Sequence, residues 1–271
     1  MSEVITRYLT DNPCYKAGRI IKVQGIMLHS VGCPQPDPLV FIQNWDKASF
    51  ASACVHGFVG KDATYITLPC AEMPGLAVRG WHSGSGSKGS SNNTHIGVEM
   101  CEPANIRYIN GAAFTCSDTE KARDFVRETT KNAADLFSQL CLFHDLDPLA
   151  DGVIISHAEG YQRGIATNHG DPEHLWRQLS MDYDMDRFRA DVKVRLEEKK
   201  EKIITDDEEG EDVVRYNTMK QMPDWAKPTV QKLISKGYIQ GSGAKPDNDG
   251  NPTDMDLSHD MVRMLVVNDR A

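Results

Sequence analysis

Between Asp206 and Asp212 the chain reads DDEEGED, six acids in seven residues. Like charges this dense repel one another and cannot pack into a core. The run is expected to be a solvated linker, and it limits what the chain can fold into. One unit covers residues 1–205 and a second covers residues 213–271. Of the formal net charge of −9, six charges lie in the run itself. Neither unit is strongly charged on its own, and neither offers the basic surface that nucleic acid or an anionic membrane requires. No apolar run reaches the roughly eighteen residues of a membrane span, so no membrane insertion is expected. Met1 to Asn12 lack the basic head and apolar run of a secretory signal, so synthesis in a cytoplasm is expected. The 7 cysteines are an odd number without a CxxC pair and read as reduced thiols.

The first unit alternates short apolar runs with helical patterns. GIMLHS (25–30), CVHGFVG (54–60), HIGVEM (95–100) and GVIISH (152–157) are short and rich in β-branched residues, the signature of buried strands. Ser117 and Glu120 have the spacing of a capping box. Ala122, Phe125, Val126, Thr129, Ala133, Leu136, Phe137 and Leu140 then recur at helical spacing. A further helix is expected from Asp184 to Ile204, with Phe188, Val192 and Leu196 on one face. The fold class is therefore α/β, a central mixed sheet flanked by helices, with a small, mostly helical C-terminal unit.

Two histidines close apolar runs. His29 follows GIML and His157 follows GVIIS, so both are expected at strand ends along one edge of the sheet. Two such histidines are either satisfied polar residues or ligands that share a metal. Asp171, in HGDPEHLW, offers an oxygen ligand. It equally fits a helix N-cap followed by proline. Three protein ligands with one open position would be a catalytic zinc site.

Several segments together resemble the type-2 N-acetylmuramoyl-L-alanine amidases, zinc enzymes related to peptidoglycan recognition proteins and phage endolysins. GIMLHS is similar to the family's strand ending in its first zinc histidine. ASACVHGFVGKDATYITLP resembles its hairpin, with Ala63 where glycine is usual. GWHSG followed by NNTHIGVEM resembles its "WHAG…IGIE" block, ISHAEG carries the second histidine, and NHGDP resembles the closing motif. These matches span roughly residues 8–180 in the family's order.

The resemblance implies Zn²⁺ on His29, His157 and Asp171, with Glu99 as general base. It implies attack on the lactyl carbonyl of N-acetylmuramic acid in peptidoglycan, releasing the L-alanine of the stem peptide. His169 stands two residues before the third ligand, where the family has Lys or Thr. The expectation is that His169 donates to the oxyanion and Asp171 binds the metal. The segment YQRGIATN lengthens the spacing from His157 to Asp171, which leaves His169 as the alternative third ligand; Asp171 is favoured because it holds the family's Asp/Cys place before proline. His56, Trp81 and His82 are expected to contact substrate or to hold local structure. The loop GSGSKGSSNN reads as mobile. His95 is expected to be structural, and Cys33 to be a buried thiol rather than a rival ligand.

Residues 213–271 are similar to a single S-layer-homology-type repeat. Val230, Leu233 and Ile234 lie at helical spacing before Gly237, and LSHDMVRMLVV forms a second helix. Such a unit would bind a secondary cell-wall polymer or pair with a second copy of itself as a homo-oligomer. The expected biology is a phage or prophage endolysin, made in the host bacterial cytoplasm without a signal peptide and acting on the wall after release. The alternatives are a non-catalytic peptidoglycan-binding protein, a bacterial autolysin, or a cysteine wall peptidase, which would need a Cys–His pair.

Overall fold

The computed structural model describes residues 3–208, 215–243 and 245–270. The chain divides into two compact units, Met1–Lys200 and Glu201–Ala271. Among the described residues no helix is long and apolar enough to cross a membrane.

The first unit is built on a six-stranded sheet in the order Glu3–Thr6, Ala63–Ile66, Gly57–Val59, His95–Met100, Gly25–Ser30, Ile154–Ser156. All neighbours are parallel except Gly57–Val59 with Ala63–Ile66, which form an antiparallel hairpin. The sheet is therefore mixed, as the expected fold class has it. Its central strands are buried on both faces, which is why they read as continuous apolar runs rather than alternating ones.

Side chains still alternate across the sheet. Ile26, Leu28, Ile96, Val98 and Met100 point into the main core, where they join Val126, Ala133, Phe137 and Leu140 of the helix Thr119–His144. Phe188, Val192 and Leu196 of the helix Met185–Glu208 complete that layer. Phe137 meets Phe188 edge to face at 5.1 Å, a geometry that adds to simple area burial. The opposite parity, Met27 and His29 with His95, Gly97 and Glu99, faces away from this core. One period-2 rule thus separates the packing side of the sheet from the polar side.

Local differences from the sequence pattern have simple causes. The helix Thr119–His144 is capped by Asp118, whose carboxylate accepts from Lys121 N at 3.1 Å, and not by Ser117. Ser117 Oγ donates instead to Asn105 O at 3.2 Å, and Glu120 pairs with Arg123. The helix expected from Asp184 to Ile204 runs from Met185 to Glu208. Three residues of the acidic run are therefore helical. Lys193–Glu197 and Lys200–Glu197 pairs support the stalk that leads into them. Residues 209–212 of the expected linker lie outside the described residues.

The second unit has its own small core. Tyr216, Met219, Met222, Ala226, Val230, Met255, Leu257, Val262 and Val266 pack together. Val230 comes from the helix Lys227–Ser235, Val262 and Val266 from the helix His259–Arg270, and Tyr216 and Leu257 from a short antiparallel pair, Arg215–Tyr216 with Leu257–Ser258; the other four lie in the turns between these elements. Gly237, at φ +75°, ends the first helix in the left-handed region that favours glycine.

The cap reassignment is testable. Asp118→Ala should cost about 0.5–2 kcal/mol of stability, the usual worth of an N-cap. Ser117→Ala should cost distinctly less. Urea melts in which Ser117→Ala is the more damaging change would restore Ser117 as the cap.

Candidate active site

Each functional side chain is delivered by a different local device. His29 sits one residue before the end of its strand and is 1 % exposed. In the parallel register it lies opposite Glu99. His157 is not the last residue of a strand but the first of a helix, His157–Gln162. Ser156 and Glu159 form a reciprocal capping box there, with both bonds at 3.0 Å. Arg189 grips Glu159 at 3.1 Å, so the long helix Met185–Glu208 braces the turn that presents His157. Asp171 makes no helix cap, because the helix Glu173–Gln178 has no side-chain cap bond. Its carboxylate instead accepts from Ser30 N at 3.3 Å.

These devices bring His29, His157 and Asp171 together. His29 Nδ1 and His157 Nδ1 are 3.0 Å apart. The Asp171 carboxylate lies 3.4 Å from the first and 3.7 Å from the second. Tetrahedral ligands at ~2.0–2.2 Å from a zinc ion stand roughly 3.3–3.6 Å from one another. One of the three separations falls in that range, the histidine pair is 0.3 Å closer and the longer carboxylate distance 0.1 Å wider, so small side-chain shifts would let the group hold a metal ion. It is also the only group of three or more His, Cys, Asp or Glu of this kind among the described residues.

The cluster is electrostatically coupled. Burial alone would depress His29, but Asp171 and Glu99 outweigh it and raise its pKa. Burial, helped by the neighbouring His29, pushes His157 down to about 4. Asp171 is lowered, because contact with His29 and His157 overcomes the burial that would raise it. Burial pushes Glu99 up to about 7, and its Oε2 is buried without a hydrogen-bond partner.

The cluster and Glu99 open onto one cavity of about 430 Å³. His169 stands at its rim with a side chain 60 % exposed. Its ring stacks on His157 at 4.4 Å, and its Nδ1 is 3.7 Å from Asp171.

The other expected contact residues are placed differently. His56 is 0 % exposed. Its Nε2 donates to Val78 O at 2.7 Å and its Nδ1 accepts from Gly97 N at 2.9 Å, so neither nitrogen is left for a substrate. Trp81 exchanges backbone hydrogen bonds with Cys54 and packs on the core beneath the hairpin. His82 lines the cavity, but its ring nitrogens are taken by His29 and by the His95 carbonyl. The loop expected to be mobile is tied down, because Asn92 Oδ1 accepts from His82 N, Ser83 N and Ser83 Oγ. His95 holds Gly152 O at 2.9 Å, a structural role. No cysteine lines the cavity; Cys33, expected to be buried, is half-buried, and that burial raises its thiol.

The far wall holds a group that sequence reasoning did not find. Tyr108 OH donates to Glu102 at 2.7 Å and meets His174 Nε2 at 2.6 Å. Glu102 also accepts from Gly32 N at 3.0 Å. Glu102 lies three residues beyond Glu99 and His174 three beyond Asp171, but no motif marks either.

The family model for N-acetylmuramoyl-L-alanine amidase (Amidase_2) matches residues 20–174, more than half of the chain and all of the cluster. The chain belongs to this amidase family. Among solved structures, this amidase is similar to the Staphylococcus aureus hydrolase AmiA in complex with its ligand. The identity is 19%, with 72% of this chain and 83% of that chain covered at a TM-score of 0.50, a likeness of fold. It is also similar to a mutant endolysin from Bacillus subtilis, at 20% identity, with 71% and 99% covered and a TM-score of 0.47. A comparison with curated proteins gives no match.

Glu102 gives a pH-dependent prediction. The residue is 0 % exposed and burial pushes its carboxyl up to about 7. The folded state keeps this proton to higher pH than the unfolded chain. Its contribution is full below the unfolded value and is lost as pH rises through about 7. The melting temperature of the parent should therefore fall relative to Glu102→Gln between about pH 5 and pH 8. A difference that stays constant over that range would contradict the assignment.

Proposed function

We propose that this amidase hydrolyses the amide bond between N-acetylmuramic acid and L-alanine in peptidoglycan, with zinc held by His29, His157 and Asp171. The observation that carries this reading is the convergence of those three side chains, buried and in mutual contact, beside Glu99 at the floor of one cavity. Bound there, zinc would supply Lewis acidity, polarising a carbonyl and easing the deprotonation of water.

The protein's own residues divide the remaining work. Glu99 is the proton carrier. A carboxyl with a pKa of about 7 and a free Oε2 can accept a proton from the attacking water and return it to the departing alanine nitrogen. A C–O bond forms as the C–N bond breaks, the nitrogen gains that proton, and the muramic acid keeps the new carboxyl group, whose own proton is the second hydrogen of the water and leaves on ionisation. His169 is the oxyanion donor. It is exposed at the rim and stacked on His157, where it can direct a ring N–H at the carbonyl oxygen. Asp171 serves as ligand because it is the buried anion of the group, and its charge offsets part of the metal's.

The expected outcomes separate these roles. His29→Ala and His157→Ala should each lose most bound zinc and nearly all wall lysis, since two remaining ligands hold zinc weakly. Full zinc content in both variants, read by elemental analysis, would sink the metal assignment. Glu99→Gln should retain zinc and slow hydrolysis about 10²–10⁴-fold. His169→Ala should also retain zinc and lose about 10²–10³-fold in rate. Loss of zinc from His169→Ala would instead make His169 a ligand.

A further inference from the structure

The geometry points to His82 as a positioning residue that, with Ser83 and Thr167, fixes the tautomers of both metal histidines; this rests on the metal reading above. The argument is a proton count along two short relays. His82 Nε2 lies 3.1 Å from the His95 carbonyl, which can only accept, so Nε2 carries the ring hydrogen. A neutral imidazole has one such hydrogen, and His82 Nδ1 is therefore an acceptor. It sits 2.9 Å from His29 Nε2, which must then be the donor. In the neutral ring, the form that can bind a metal, the lone pair of His29 is left on Nδ1, the atom that faces His157 and Asp171.

The second relay has the same form. Thr167 Oγ1 donates to Ser83 O at 3.1 Å and so presents a lone pair to His157 Nε2 at 3.3 Å. His157 Nε2 carries the hydrogen, and its Nδ1 is also a lone pair. Both relays end on the same dipeptide, His82–Ser83. Asn92 Oδ1 holds that dipeptide by His82 N at 2.9 Å, Ser83 N at 3.0 Å and Ser83 Oγ at 3.1 Å.

The space for this arrangement is built into the strand. A Cβ on Gly97 would stand 2.3–2.6 Å from three atoms of the His82 ring, so the missing side chain in His95–Met100 is the hollow that the ring occupies. With both Nε2 atoms donating, two nitrogen lone pairs and a carboxylate face one another with no hydrogen between them. Such a set of acceptors is stable around a cation. Partners of this kind are commonly worth about 10–100-fold in metal affinity.

The test is zinc affinity of the full chain, measured by competition with a chromophoric chelator, with circular dichroism to confirm folding. H82F fills the Gly97 hollow but offers no acceptor, and H82L is the alternative should H82F not fold. Either should bind zinc about 10–100-fold more weakly than the parent. H82N places a carbonyl oxygen near the former Nδ1 and should recover most of the loss. T167V should weaken zinc less, because Thr167 is exposed and water can take the place of its hydroxyl. Parental affinity in H82F and H82L, with zinc still lost from His29→Ala, would overturn the relay and leave the metal site standing. Equal weakening in H82N and H82F would also overturn it, by showing that the ring acts through packing alone. A parent that takes up no zinc, or a His29→Ala variant that binds as the parent does, would overturn the metal reading and the relay together.

Discussion

The site depends on one pairing, the parallel ladder between Gly25–Ser30 and His95–Met100, which sets His29 opposite Glu99. A slip of one residue in either strand would send its site residue into the apolar core and bring a core residue to the cavity. The register is held from both sides. Ile26, Leu28, Val98 and Met100 are locked against the helix Thr119–His144. On the other face Gly25 and Gly97 leave room for close neighbours: a Cβ on Gly25 would stand 2.2 Å from the Val153 carbonyl oxygen. Packing energy on one face thus pays for the precise placement of polar groups on the other.

Those polar groups are costly to bury, and the structure offsets the cost by linking them. His56, His82 and His95 each give a ring hydrogen to a backbone carbonyl. Burial drives His56 down to about 4 and His82 well below its ordinary value, so both remain neutral at physiological pH. Neutral, directionally bonded imidazoles surround the cluster without adding charge that would repel a cation. Asp171 and Glu99 are the carboxyls that line the cavity, and Glu102 lies buried behind Tyr108. The two carboxyls at about 7 lie where proton exchange near neutrality costs little.

Much of this was legible in the residues. The strands GIMLHS and HIGVEM are observed with the bounds their composition predicts, because β-branched runs of that length have few other ways to be buried. The three clustered side chains stood out through the family resemblance: the pattern alone fits satisfied strand-end histidines and a helix N-cap at Asp171 equally well. What was not legible is mostly second contact. The hydrogen bonds of His56 to Val78 and of Thr167 to Ser83 join residues far apart in the chain or on separate loops, and no periodicity reports such meetings. The GSGSKGSSNN loop misled by composition, since small polar residues signal flexibility only where their backbone lacks partners. Asn92 supplies three. The Ser117 cap failed by one position, a choice between adjacent Ser and Asp that depends on backbone angles and not on residue type.

The central claim is that the cluster cuts the bond between sugar and stem peptide, and mass spectrometry of purified peptidoglycan after digestion tests it most directly. The account predicts free stem peptides with an L-alanine N-terminus beside glycan strands bearing unsubstituted muramic acid. It predicts that both disappear with a metal chelator and return when zinc is restored. Fragments cut between amino acids, or within the glycan, would contradict it.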